Sequence, residues 1–232
     1  MKSRQILLIV AAVVVVAAGA VFYFVSRPET PVLPGDSPAA AAPSTPAPAA
    51  TTPVPVTGGD LMTPGPLGEK ALGDPKAPHV VIEYASLTCS HCQRFATETF
   101  PAFKEKYIDT GKVYFIMREF PLDPLATAGV MLARCAPGDQ YFPIVELLFE
   151  QQRNWAFVSD PQTALFNLVK QAGFTKDSFE ACLKDQKILD GVNEVKNRGS
   201  VLGVDATPTF FFDGVKKAGD QPMAEIDKLL AD

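Results

Sequence analysis

Clustered basic charge, histidine and cysteine are all scarce in this sequence. Its 21 lysines and arginines are interspersed among 26 aspartates and glutamates, for a net charge of −5. No basic stripe is available to neutralise phosphates, so nucleic acid is not expected as a partner. With two histidines and four cysteines, the chain is also poorly supplied for a tetrahedral structural metal. Beyond one close cysteine pair it offers only His79, His91 and the distant Cys135 and Cys182. No metal is expected, and no cofactor. Two stretches lack a particular pattern: from Pro124 to about Ser200 nothing alternates like a strand, and from Pro28 to Pro66 no apolar period of any kind appears.

That second stretch is rich in something else. Eleven of the 21 prolines fall within it, among Ala, Thr, Ser and Gly, and such a composition cannot bury a core. Residues 28–66 are therefore read as a Pro/Ala-rich linker, and residues 67–232 as one domain large enough for a single core. Ahead of the linker, Lys2 and Arg4 precede Ile6 to Val25, an uncharged run about 30 Å long as a helix, enough to cross a bilayer. The charge bias leaves the N-terminus cytoplasmic and carries the rest across. Residues 1–27 are thus a transmembrane anchor, or else a signal peptide cut after Ala20, where Ala18-Gly19-Ala20 fits the small-x-small pattern. Either reading places the domain outside the cytoplasm, in the periplasm or on the outer face of the inner membrane.

Within the domain, His79 to Ala85 is β-rich and apolar and predicts a buried strand. Phe95, Phe100, Phe103 and Tyr107 recur at helical spacing from Ser90 to Tyr107, with a kink at Pro101. Val113 to Phe120 is a second strand, so the order is βαβ, two parallel strands with a right-handed crossover. A helical insert over about 124–200 follows, with helices at 125–135, 140–152, 161–172, 176–184 and 187–198, and caps at Asp160 and at Thr175 with Ser178. Thr209 to Phe212, an Asp213-Gly214 turn, a strand at 215–218 and a helix at 223–230 close the chain.

Chemistry concentrates at Cys89-Ser90-His91-Cys92, where the first strand meets its helix. Three-residue spacing on a helix brings the sulfurs within bonding range, and the free amides of a helix N-terminus favour a thiolate at the first cysteine. Cys89 is the expected nucleophile, with His91 able to donate a hydrogen bond or a positive charge to it. A stabilised thiolate makes the disulfide form oxidising. A zinc site or an inert structural disulfide would use the same spacing. Glu83, in the apolar strand, would have a raised pKa if buried and would exchange protons with Cys92; an exposed strand-end acid is the alternative. His79 reads as a surface residue. Thr207-Pro208 precedes the Phe-rich strand, and a cis bond there would leave the Thr207 backbone free to pair with an extended substrate; a trans strand-start proline is the alternative.

Taken together, Glu83-Tyr84, Cys89-Ser90-His91-Cys92, the helical insert and Thr207-Pro208-Thr209-Phe210 resemble the DsbA-type branch of the thioredoxin superfamily over nearly all of residues 67–232. The resemblance implies an α/β thioredoxin fold interrupted by a helical domain, with Cys89 attacking, Cys92 resolving, Glu83 as the buried acid and Pro208 as the cis-proline. Many oxidases of the family carry Pro-His between the cysteines and Val before the cis-proline. Ser90 and Thr207 depart from that, which leaves the strength and direction of the redox activity open. In an oxidising compartment the even cysteine count also invites a Cys135 to Cys182 bridge, the pairing that leaves the active pair intact; two buried thiols are the alternative. The implied function is a monomeric oxidase that donates its disulfide to reduced, newly exported proteins and is reoxidised by a quinone-linked membrane partner. A reductase or isomerase of the same fold, and a non-enzymatic peptide-binding or chaperone module, are the competing readings.

Overall fold

The computed structural model describes residues 58–231. The expected anchor or signal segment, the Ala20 cleavage point and most of the linker lie outside the described residues. Among the described residues no helix is long and apolar enough to cross a membrane.

The chain opens with a short helix α1 (Gly58–Met62) and strand β1 (Lys70–Leu72). Strand β2 (His79–Ala85) follows, with Val81 to Ala85 buried on both faces, as its unbroken apolar run requires of a central strand. It pairs in parallel with β3 (Val113–Glu119), Glu83 opposite Met117. On its other side it pairs antiparallel with β4 (Thr209–Phe212), Glu83 opposite Phe210. Strand β1 edges the sheet against β3 and β5 (Val215–Ala218) edges it against β4, giving the order β1-β3-β2-β4-β5. Asp213 and Gly214, at φ 47° and 87°, make the tight turn between β4 and β5, the left-handed pair that a two-residue hairpin needs.

Between β2 and β3 runs helix α2 (residues 90–108), built of segments Ser90–Arg94, Phe95–Thr99, Phe100–Phe103 and Lys104–Ile108. The second and fourth are wide turns: Phe100 N–H bonds the Phe95 carbonyl and Asp109 N–H the Lys104 carbonyl, five residues back. The irregularity expected at Pro101 takes this form. Pro101 has no N–H to offer four residues back, and the turn before it opens instead of breaking.

The insert contains α3 (Pro124–Cys135), α4 (Tyr141–Glu150), α5 (Gln152–Trp155), α6 (Pro161–Val169), α7 (Lys176–Leu183) and α8 (Gln186–Val201). Asp160 accepts from Thr163 N–H, and Thr175 and Ser178 cap each other reciprocally, as expected. The single helix expected over 140–152 is two, parted at Gln151. Helix α9 (Met223–Leu229) closes the chain.

Side chains alternate across the sheet. Val81 and Ala85 face α2, α9 and the insert in one large cluster with Cys92, Phe95, Phe115 and Trp155, while Ile82 and Tyr84 face α8 in a smaller one with Val195 and Phe211. Glu83 shares the face of Val81 and Ala85, the face that carries Cys92. The close approach of α8 depends on Gly199, where a Cβ would stand 2.7 Å from the Tyr84 ring.

Packing begins ahead of Leu67, inside the stretch assigned to the linker. Leu61 is buried in the α8-side cluster, and Arg198 donates to the carbonyls of Thr63 and Pro64, both at 2.8 Å. Arg198 thus gives the proline-rich backbone a partner that composition alone does not reveal. His79, read as a surface residue, starts β2, and its Nδ1 lies 2.8 Å from Asp213 Oδ2, tying the start of β2 to the β4–β5 turn.

Candidate active site

The turn after β2 sets the site. Ser86, Leu87 and Thr88 lead to Cys89, whose extended backbone (φ −77°, ψ 124°) makes it the residue that caps α2. Cys92 then falls one turn on, fully buried, while Cys89 is half-buried; both thiols are free. The two cysteines are therefore unequal. Cys89 is lowered from 9.0 to about 5, most of all by the Cys92 thiol hydrogen-bonded to its sulfur. Partial burial opposes this, while the Thr207 side chain and the backbone N–H groups of Cys92 and His91 add to it. Cys92 is pushed well above its ordinary value, first by burial and then by its bond to Cys89.

The structure places the other expected residues around this pair. Glu83 is only 5% exposed, and burial raises it from 4.5 to about 8, with the negative charges of Cys89 and Asp220 adding to the effect. The Thr207-Pro208 peptide is cis, and the Cys89 thiol donates to the Thr207 carbonyl at 3.2 Å. His91 enters through its backbone N–H; its ring is exposed and makes no hydrogen bond among the described residues. Cys135 and Cys182 are joined by a disulfide, Cα atoms 6.1 Å apart, linking α3 to α7 within the insert. Among the described residues no group of three or more His, Cys, Asp or Glu side chains is arranged to hold a metal ion.

Several positioning residues were not singled out from sequence. Gln152, 3% exposed, donates from one amide nitrogen to the carbonyls of Leu87 at 2.8 Å and Cys89 at 3.0 Å, so the insert holds both sides of the turn that carries the nucleophile. Thr88 donates to Asp123, which also caps α3 through Ala126 N–H, and Leu122 N–H bonds Ser86 Oγ. The signal for Gln152 was a polar side chain on an apolar stripe, three residues after Phe149 and three before Trp155. Asp220, in the turn before α9, gave no such signal.

Comparison with known proteins adds kinship to this geometry. The family model described as Thioredoxin matches residues 67–232. A Rickettsia typhi protein named as a protein-disulfide oxidoreductase is 31% identical over 173 residues, covering 71% of this chain and 63% of that protein. Its Rickettsia felis counterpart is 31% identical over 171 residues, covering 70% and 60%. The match thus spans less than two thirds of the length of these relatives. Among solved structures, alpha-DsbA1 of Wolbachia pipientis is 36% identical with a TM-score of 0.67, covering 75% of this chain and 94% of that one.

Proposed function

Because the chain belongs to the DsbA-type branch of the thioredoxin superfamily, we propose that it is a thiol:disulfide oxidoreductase working outside the cytoplasm, an oxidase that donates the Cys89–Cys92 disulfide to reduced, newly exported proteins. The observation that carries this reading is the inequality of the two sulfurs: an accessible thiol held near 5 in front of a buried one held high, with a protonated carboxyl behind them.

That inequality gives each sulfur one task. A substrate thiolate attacks Cys89 Sγ, the Cys89–Cys92 bond breaks, and its electron pair leaves on Cys92 Sγ. A thiolate there is poorly tolerated in an apolar surrounding, and Glu83, neutral at pH 7, is the proton donor. The second substrate thiolate then attacks its own sulfur in the mixed disulfide and expels Cys89, a good leaving group because its thiolate is stabilised. The substrate has lost two electrons and the cysteine pair has gained them. The Thr207 carbonyl, beside the cis peptide to Pro208, accepts from an extended substrate backbone laid along it. A quinone-linked membrane partner removes the two electrons, and residues 6–25 keep the domain close to it.

The test is to mix the oxidised full chain with a reduced, unfolded two-cysteine substrate, follow loss of substrate thiols, and equilibrate the pair with glutathione. Fast oxidation, lost in Cys89→Ser, with a potential nearer the roughly −120 mV oxidising end of this superfamily than its roughly −270 mV reducing end, is the expected outcome. A value at the reducing end, with slow oxidation, would instead make the protein a reductase.

A further inference from the structure

Glu83 gives up a proton each time Cys92 leaves as a thiolate and must exchange it with solvent before the next cycle. It cannot do so directly. It is 5% exposed, and the adjoining cavity of about 30 Å³ is walled by apolar side chains, among them Phe95, Phe100, Phe115 and Met117, with Glu146 as its one other carboxyl. Resting on the disulfide-transfer reading above, we propose that Asp220 is the outer carboxyl of a relay that carries protons between Glu83 and solvent, with Arg94 as its partner at the surface.

Asp220 is built as a two-sided group. The turn that holds it is pinned to the active-site loop by Gly219 N–H on the Pro208 carbonyl at 2.8 Å. It is braced from within by Gln221, whose amide donates to the Gly219 carbonyl at 2.9 Å. Outward, Asp220 Oδ2 lies 3.8 Å from Arg94 Nη1, on a side chain 50% exposed. Its other oxygen, Oδ1, is buried and has no hydrogen-bond partner among the described residues. A buried carboxylate oxygen left unpaired is costly, and such an atom calls for a bridging water or a catalytic use. The electrostatics agree with the geometry: Asp220 and Cys89 are the two negative groups that act on Glu83. The titratable groups facing Glu83 are Cys89 and Cys92 from α2, Asp220 from the last turn, and Tyr141 and Glu146 from α4. Those facing Asp220 are Arg94 and Glu83. Asp220 touches no sulfur, so it is a positioning residue acting through Glu83.

The relay is testable on the reduced full chain mixed with glutathione disulfide, quenched at intervals and weighed. In the first phase the Cys89 thiolate takes one sulfur of glutathione disulfide and a glutathione thiolate leaves. In the second the Cys92 thiol passes its proton to Glu83, attacks Cys89 Sγ and expels the second glutathione thiolate, while Glu83 returns the proton to solvent through Asp220. With Asp220→Asn at pH 8 we expect an unchanged first phase and a second phase slowed on the order of tenfold. Asp220→Ala should show the same defect, with formate restoring the rate. A merely electrostatic neighbour would act in the opposite direction, since removing a like charge makes Glu83 a more available carboxylate. A second phase in Asp220→Asn as fast as wild type or faster would overturn the relay, and so would a defect in Asp220→Ala that formate does not restore. A wild-type chain that never resolves the mixed disulfide would overturn both the relay and the disulfide-transfer reading.

Discussion

Replacing Glu83 by Gln should stabilise the reduced protein by an amount that depends on pH in a defined way. In the folded chain Glu83 is raised from 4.5 to about 8, so between those values the native state holds a proton that the unfolded state has released. Stability then falls as pH rises. Below 4.5 both states are protonated and the burden is absent; it grows by about 1.36 kcal/mol per pH unit, reaches about 3 kcal/mol at pH 7 and levels off near 5 kcal/mol above pH 8. Glutamine cannot ionise, so Glu83→Gln is free of this slope. Urea unfolding at pH 4, 7 and 9, with Cys89 and Cys92 reduced, measures it directly: relative to the pH 4 difference, the variant should gain about 3 and then about 5 kcal/mol. At an m-value of about 2 kcal/mol/M the latter moves the midpoint by about 2.5 M. The gain should be smaller in the oxidised protein, where Cys89 carries no charge to act on Glu83. An advantage that stays constant from pH 4 to pH 9 would refute the assignment of Glu83 as a neutral acid at pH 7.

Three further outcomes follow from the same geometry. The ultraviolet absorbance of the reduced chain should rise with pH through an inflection near 5, from Cys89, and Cys89→Ala should remove that inflection; one near 9 would contradict the proposed leaving group. Removing both partners of the Cys135–Cys182 bridge reopens a loop of about 48 residues and should cost about 4 kcal/mol by chain entropy, with the proposed oxidation of substrate thiols retained below the new melting temperature; a loss under 1 kcal/mol would show that the bridge does not constrain the unfolded chain. Gln152→Ala strands the carbonyls of Leu87 and Cys89 and should cost about 1–3 kcal/mol in urea. Gln152→Glu, which sets an acceptor against two acceptors, should cost more, and an equal effect of the two would argue against the double hydrogen bond.

Much of this fold was legible because its elements announce themselves locally. The β2 run, the aromatic period of α2 and the caps at Asp160 and Thr175 are each written within a few residues, and the structure places elements there. Strand β1 is three residues with no alternating pattern and exists because β3 offers it a free edge. Helix α1 owes its place to Leu61 and to carbonyls that Arg198 reaches from far along the chain. The site divides in the same way. The cysteines, Glu83 and Thr207-Pro208 stand in recognisable patterns, whereas Asp220 is an ordinary turn aspartate until the fold buries one of its oxygens. At His91 the backbone N–H lowers Cys89, while the ring is exposed and makes no hydrogen bond among the described residues.

The central place of β2 fixes an order of events during synthesis. One of its neighbours, β3, is complete by residue 119, but the other, β4, pairs Val81 with Phe212, and loop closure over such a distance is slow. A chain emerging N-terminus first therefore presents Cys89, Cys92 and Cys135 before Cys182 exists to engage Cys135 and before Thr207 exists to cover Cys89. For that interval the nascent chain is itself unfolded and carries reactive thiols, open to thiol–disulfide exchange until the partner of Cys135 and the cover over Cys89 arrive.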